Sequence, residues 1–115
     1  MNYKEYNGWT NYETWVVNLW MDNEEGSYRY WREQAEEAWE SALEDRRYPN
    51  QTQAESAKCQ LADRLKAEHE ESAPELEGVF ADLLNAAMSE VNWYEIAEHM
   101  IDEYVQDKPT AAEGD

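Results

Sequence analysis

The feature that most restricts this chain is a helical apolar period that restarts four times, each time behind a helix-starting signal. Each signal is a Ser, Thr or Asn followed three residues later by Glu: Thr10 with Glu13, Thr52 with Glu55, Ser72 with Glu75, and Asn92 with Glu95. In such a capping box the short side chain accepts one free backbone N–H at the helix start and the Glu accepts another. Val91 and Ile96 flank the last box at the positions of a hydrophobic staple.

The runs behind these signals, with one more that begins near Ser27, predict an all-α fold of about five helices. The first covers about Asn11 to Met21, with Tyr12, Trp15, Val16, Leu19 and Trp20 inward, and ends in the polar turn Asp22-Asn23-Glu24-Glu25-Gly26. The second covers about Ser27 to Asp45, with Trp31, Ala35, Ala38, Trp39, Ala42 and Leu43 on one face. Glu33, Glu36, Glu37, Glu40 and Glu44 oppose them, and Arg46-Arg47-Tyr48-Pro49-Asn50 stops the helix. The third, about Gln53 to Glu71, turns Ala54, Ala57, Leu61 and Leu65 inward. The fourth starts at or just after Pro74, which the first turn tolerates, and buries Leu76, Val79, Phe80, Leu83, Leu84 and Ala87. The fifth, Trp93 to about Asp107, packs on Ile96, Ala97, Met100, Ile101, Tyr104 and Val105.

With 115 residues and no repeat or long linker, the expectation is one compact acidic domain over residues 1–107 and a flexible tail over 108–115. Met1 to Trp9 is either a loose strand or an extended aromatic arm packed on the helices. Six Trp and eight Tyr stand against one Phe, so large aromatics with polar edges must fill much of the core.

Charge bounds the function. Against 27 acids stand nine Lys and Arg, a net charge of -18, which argues against direct binding to nucleic acid or to anionic membranes and favours basic partners. Solubility alone, or a high-salt origin suggested by 20 Glu against 7 Asp, would also produce such a balance. No apolar run approaches the ~20 residues that span a bilayer. The start MNYKEYNGW lacks the regions of a signal peptide and Cys59 is the lone cysteine, so the expected location is the cytosol.

Between Lys66 and Lys108 lie 41 residues with twelve acids and no Lys or Arg. They are Glu68, Glu70, Glu71, Glu75, Glu77, Asp82, Glu90, Glu95, Glu98, Asp102, Glu103 and Asp107. The candidate partner-binding residues are Glu68, Glu71, Glu75, Glu77, Asp82, Glu90, Glu95, Glu98, Asp102 and Glu103. Glu95, Glu98 and Asp102 form a row of like charge with no cation in the same stretch. Carboxylates four apart on a helix are ~6 Å apart along its axis, close to the step between phosphates of a nucleic-acid strand. The competing reading is that Glu75 and Glu95 cap helices while the other acids keep the chain dissolved.

Other chemistry is thinly represented. Glu95, His99 and Glu103 share a helical face that a metal would accept, but the Glu-x-x-His pattern of a di-metal bundle fails, since Lys66 and Ile96 precede the two histidines by three. The four glycines are isolated, which excludes a phosphate-binding loop, and Cys59 has no evident base. No catalytic residue, metal site or cofactor is expected.

Two segments carry a resemblance. Asn7-Gly8-Trp9-Thr10-Asn11-Tyr12-Glu13-Thr14-Trp15 and the stretch from Asp82-Leu83-Leu84 to Val91-Asn92-Trp93-Tyr94-Glu95-Ile96-Ala97 resemble a family of small acidic uncharacterised proteins encoded by phages and plasmids. Where the family's Glu-Thr-Trp motif continues with Asn, this chain has Val16. That family has no assigned active site, so it transfers no functional residue. The resemblance implies a mobile-element setting, in which acidic antirestriction and anti-CRISPR proteins imitate DNA. The resulting expectation is a non-enzymatic inhibitor that offers an acidic, nucleic-acid-mimicking surface to a basic nucleic-acid-binding host protein, such as a restriction or CRISPR nuclease. The alternative is a phage or plasmid adaptor that uses aromatic contacts.

Overall fold

The computed structural model describes residues 6–43 and 51–107. The helix-two stop from Arg46 to Asn50, its last expected turn at Glu44 and Asp45, Tyr3 and the tail from Lys108 lie outside them. Five helices follow in order: α1 (Tyr12–Asn23), α2 (Glu25–Ala42), α3 (Gln53–Ser72), α4 (Val79–Glu90) and α5 (Trp93–Asp107). No strand is present among the described residues; the one β-bridge joins Tyr6 and Trp9.

Two of the four capping signals act at the expected place. Thr52 accepts from the Glu55 amide at 3.1 Å, and Glu55 returns the bond to the Thr52 amide at 3.0 Å. Asn92 accepts from the Glu95 amide at 3.0 Å, while its own N–H donates to the buried Thr14 hydroxyl at 2.8 Å. The other two are corrected. Asn11, rather than Thr10, caps α1 by accepting from the Thr14 amide at 2.9 Å. Ser72 is the last residue of α3, and α4 begins behind Gly78, which offers no side-chain cap. The Asp22–Gly26 turn is also shorter than expected. Glu24 alone separates α1 from α2, and its carboxylate accepts from the Ser27 amide at 2.6 Å.

The core is built by α2, α3 and α5, which pack against one another. Ala35, Ala38, Ala57 and Ala97 let the backbones approach, and Leu61, Leu65, Ile96 and Ile101 fill the centre. Trp31 and Trp93 close the edges. Each buried aliphatic side chain of this size stabilises the fold by about 1.5–3 kcal/mol relative to exposure.

The ends of the chain's aromatic inventory are used differently from expectation. Trp9 is buried and lies 4.2 Å from the His99 ring. It is set there by a tight turn in which Tyr6 and Trp9 exchange backbone hydrogen bonds at 3.0 and 2.8 Å. Asn7 and Gly8 occupy the turn with φ of 50° and 89°, the left-handed pair that a two-residue reverse turn demands. On α1 the inward residues are Thr14 and Met21, with Trp15 and Val17 beside the core, whereas Tyr12 and Trp20 are exposed. Leu43 of the expected α2 stripe and Val105 of the α5 stripe are exposed too.

The largest departure is α4. Eight of its 12 residues are apolar, yet none is buried. Val79, Phe80 and Leu83 are 62%, 65% and 60% exposed, and Leu76 before the helix is 43% exposed. Among the other helices α4 lies against α1 alone. It is tethered at its C-terminal end, where the Asn11 side chain donates to the Glu90 carbonyl at 2.7 Å and Met88 reaches the core. Amphipathic spacing dictates that a helix has an apolar side; it does not dictate that the chain's own core covers it.

Candidate partner-binding surface

The twelve acids of the cation-free stretch divide into three groups. Glu95 is 3% exposed, and its carboxylate accepts from the Thr10 amide at 3.1 Å. It therefore ties the N-terminal segment to α5 and is no part of a surface. The row that begins at Glu95 is thus broken at its first member. Glu95, His99 and Glu103 do not converge; among the described residues no three His, Cys, Asp or Glu side chains gather as a metal would need.

The second group is engaged by side chains of other helices: cations for Glu98, Asp102 and Asp107, and a tyrosine hydroxyl for Glu68. Lys58 of α3 reaches Asp102 at 3.2 Å and Glu98 at 3.7 Å. Burial works against the Lys58 charge, but the hydrogen bond to Asp102 and the charges of Asp102 and Glu98 outweigh it and hold its pKa above the ordinary 10.5. Arg32 of α2 meets Asp107 at 3.1 Å. Glu68 accepts both ways from the Tyr30 hydroxyl, at 2.8 and 2.9 Å, and that hydrogen bond raises the Tyr30 pKa. These partners are distant in sequence, so a scan for cations within the stretch itself misses them.

The third group is Glu70, Glu71, Glu75, Glu77, Asp82, Glu90 and Glu103, all exposed. Among the described residues none of them lies within ion-pair distance of a cation. Six of the seven run from the end of α3 through the Ala73–Gly78 connection and along α4. Uncompensated negative charge and exposed apolar side chains thus occupy the same part of the molecule.

Between the end of α3 and α4 runs an open groove of about 530 Å³. Leu84, Met88, Val91 and Trp93 form its apolar lining, and Lys66 and Glu70 stand on the α3 side. A second shallow groove, bounded by Pro74, Glu75 and Glu77, continues from it across Leu84 and Asn85. The side chains of α4 that point into these grooves, Ala81, Leu84, Asn85 and Met88, are spaced as one helical face, adjacent to the exposed face of Val79, Phe80 and Leu83.

The remaining reactive side chains are engaged structurally. His69 lies between the Trp31 ring, 5.9 Å away and stacked, and the Trp93 ring at 5.0 Å, while its Nδ1 meets the Leu65 carbonyl at 2.8 Å. Cys59 is half-buried, with the Gln51 amide 3.8 Å from its sulfur.

Residues 2–108 match the model of a family of unknown function, DUF7249. The chain belongs to that family. No curated protein and no solved structure matches it. Membership of DUF7249 covers both the capped helices of the core and the exposed α4, and its description assigns neither an activity nor a partner. None of the described helices of this family member is long and apolar enough to cross a membrane.

Proposed function

We propose that this protein is a non-enzymatic modulator that presents an acidic surface to a basic, nucleic-acid-handling protein of its host. The observation that carries the reading is the run of exposed, cation-free acids Glu70, Glu71, Glu75, Glu77, Asp82 and Glu90 in a chain of net charge -18. A field of that sign concentrated on one side of a small protein steers a basic partner and competes with nucleic acid for it, through release of the same counterions. Imitation of phosphate spacing is the narrow form of the reading. A mobile-element origin, with a restriction or CRISPR nuclease as target, is the biological setting that the motifs of the N-terminal and α5 segments suggest.

The experiment is competition. The partner is captured from host lysate on the immobilised protein at low salt, identified, and purified. Duplex DNA and this protein should then displace one another from it, and raising the salt should weaken the complex steeply. Neutralising Glu70, Glu71, Glu75 and Glu77 to Gln should abolish the competition. Reversing Glu98 and Asp102 is the wrong variant, because three cations would then meet at Lys58 and perturb the fold. A partner whose binding ignores salt and DNA would refute the reading.

One observation favours a second reading, an adaptor that binds through aromatic contacts. Trp20 is 71% exposed and sits beside an open apolar hollow formed with Val16 and Val17. Binding of this kind would resist salt and be lost in Trp20→Ala.

A further inference from the structure

We propose that the exposed face of α4, together with the groove beside it, receives an amphipathic helix of a partner that carries basic residues along both flanks of its apolar spine. The inference deepens the acidic-surface reading and rests on it for the partner's charge. Its own ground is the geometry of α4.

Val79, Phe80 and Leu83 are large apolar side chains of that helix, and each is more than half exposed. Around the helix from them, Leu84 and Met88 continue the apolar surface down into the groove floored by Val91 and Trp93. The result is one apolar track that follows α4 for its whole length, ~18 Å for its 12 residues. An α-helix of similar length is the element that fills such a track, with anchors at intervals of three and four.

The rim decides the chemistry of the occupant. Glu70, Glu75 and Glu77 border the groove on one side, and Asp82 and Glu90 lie on α4 itself. Among the described residues the one cation lining the groove is Lys66, on the α3 side. A second copy of the chain would bring the same acids to the seam and set like charges against one another, and nucleic acid or an anionic membrane would be repelled outright. A helix with Lys or Arg flanking an apolar spine satisfies both the track and its rim.

The test uses the full chain and a labelled Leu/Lys peptide of about 15–18 residues, designed to place every Leu on one helical face and to span α4 with about a turn to spare. A scrambled peptide of identical composition and charge, with its Leu residues dispersed, is the comparator. By fluorescence anisotropy the amphipathic peptide should bind at least about tenfold more tightly than the scramble. The double variant Phe80→Ser with Leu83→Ser should erase that difference with an unchanged circular dichroism spectrum, since neither side chain supports the core. Leu83→Lys is the second handle, and should weaken the amphipathic peptide by repulsion. Replacing Glu70, Glu75 and Glu77 with Gln should weaken both peptides alike.

Equal affinity for the two peptides would mean attraction by charge alone; it would overturn docking on α4 and leave the acidic-surface reading standing. A preference that survives the Phe80 and Leu83 variants would place the site elsewhere and overturn it as well. Failure of both peptides to bind would count against both readings. Sedimentation showing a dimer that the double variant dissolves would assign α4 to a second copy and overturn the partner proposed here.

Discussion

Thr14 has no exposed surface and accepts the Asn92 N–H through its hydroxyl. That single bond joins the first turn of α1 to the start of α5, across 78 residues of chain. Thr14→Val keeps the shape of the side chain but leaves the Asn92 amide without the hydroxyl oxygen. The expected loss is about 1–3 kcal/mol, read from the urea midpoint, because a buried unsatisfied donor forfeits its hydration. Thr14→Ser should retain most of the stability; an unaffected Thr14→Val would show that the bond is worth little. Glu95 is a similar case. Its carboxylate sits in the interior at the Thr10 amide, so Glu95→Lys should impair folding before any effect on a partner can be measured. A Glu three residues after Asn announces a cap; that its carboxylate would serve a distant strand of chain is invisible in that spacing.

Two leucines on different helices separate the roles of the elements. Leu61 on α3 is fully buried and Leu83 on α4 is mostly exposed. Leu61→Ala should cost about 2–5 kcal/mol, as large-to-small changes in a packed core do. Leu83→Ala should stay within about 0.5 kcal/mol of wild type. Comparable losses at both positions, measured by chemical denaturation, would mean that α4 is covered in solution. The α3–α5 and α2–α3 contacts carry a charge contribution as well. Lys58 between Asp102 and Glu98, and Tyr30 against Glu68, both have pKa values raised above their ordinary 10.5 and 10.0. A raised folded pKa means that the native state holds the proton more tightly than the unfolded chain. For both groups the contribution is complete below the unfolded value and is lost as pH rises through the folded one. Stability should therefore fall from about pH 10 upward. In Lys58→Gln the alkaline decline should be shallower, and in Tyr30→Phe shallower again when the two are combined. An alkaline limb identical in wild type and double variant would remove both groups as its cause.

For the whole molecule, a net charge of -18 on a structure whose long axis extends 58 Å makes self-repulsion a property of the native state. Several acids are relieved by ion pairs, but among the described residues no cation pairs with those of α4 and its approach. Added salt screens charges over ~3 Å at 1 M, against ~10 Å at 0.1 M. The melting temperature should thus rise with sodium chloride over this range, and calorimetry would show it. A flat or falling response would mean that the local pairs already balance the field. The same measurement on the variant with Glu70, Glu71, Glu75 and Glu77 changed to Gln should show a weaker salt response and a higher starting point.

Local chemistry determined much of this protein by itself. Apolar residues at helical spacing, with Thr52 and Asn92 at helix starts, are enough to predict five helices, because caps and periodicity act within a few residues of chain. The Asn7-Gly8 pair equally encodes the turn that delivers Trp9 to His99, since few other residue pairs accept two consecutive left-handed backbones. The large acidic excess, and its concentration after Lys66, can likewise be read directly from the chain. Tertiary structure decided which apolar faces the core would use and which charges would be neutralised. The α2–α3–α5 triad fills its interior without α4, so Val79, Phe80 and Leu83 face water although their spacing is that of a buried stripe. Lys58 crosses from α3 to the acids of α5, and Glu95 turns inward to Thr10. Burial and ion pairing depend on what stands opposite in space, and the neighbours that decide them here lie 40 to 85 residues away along the chain.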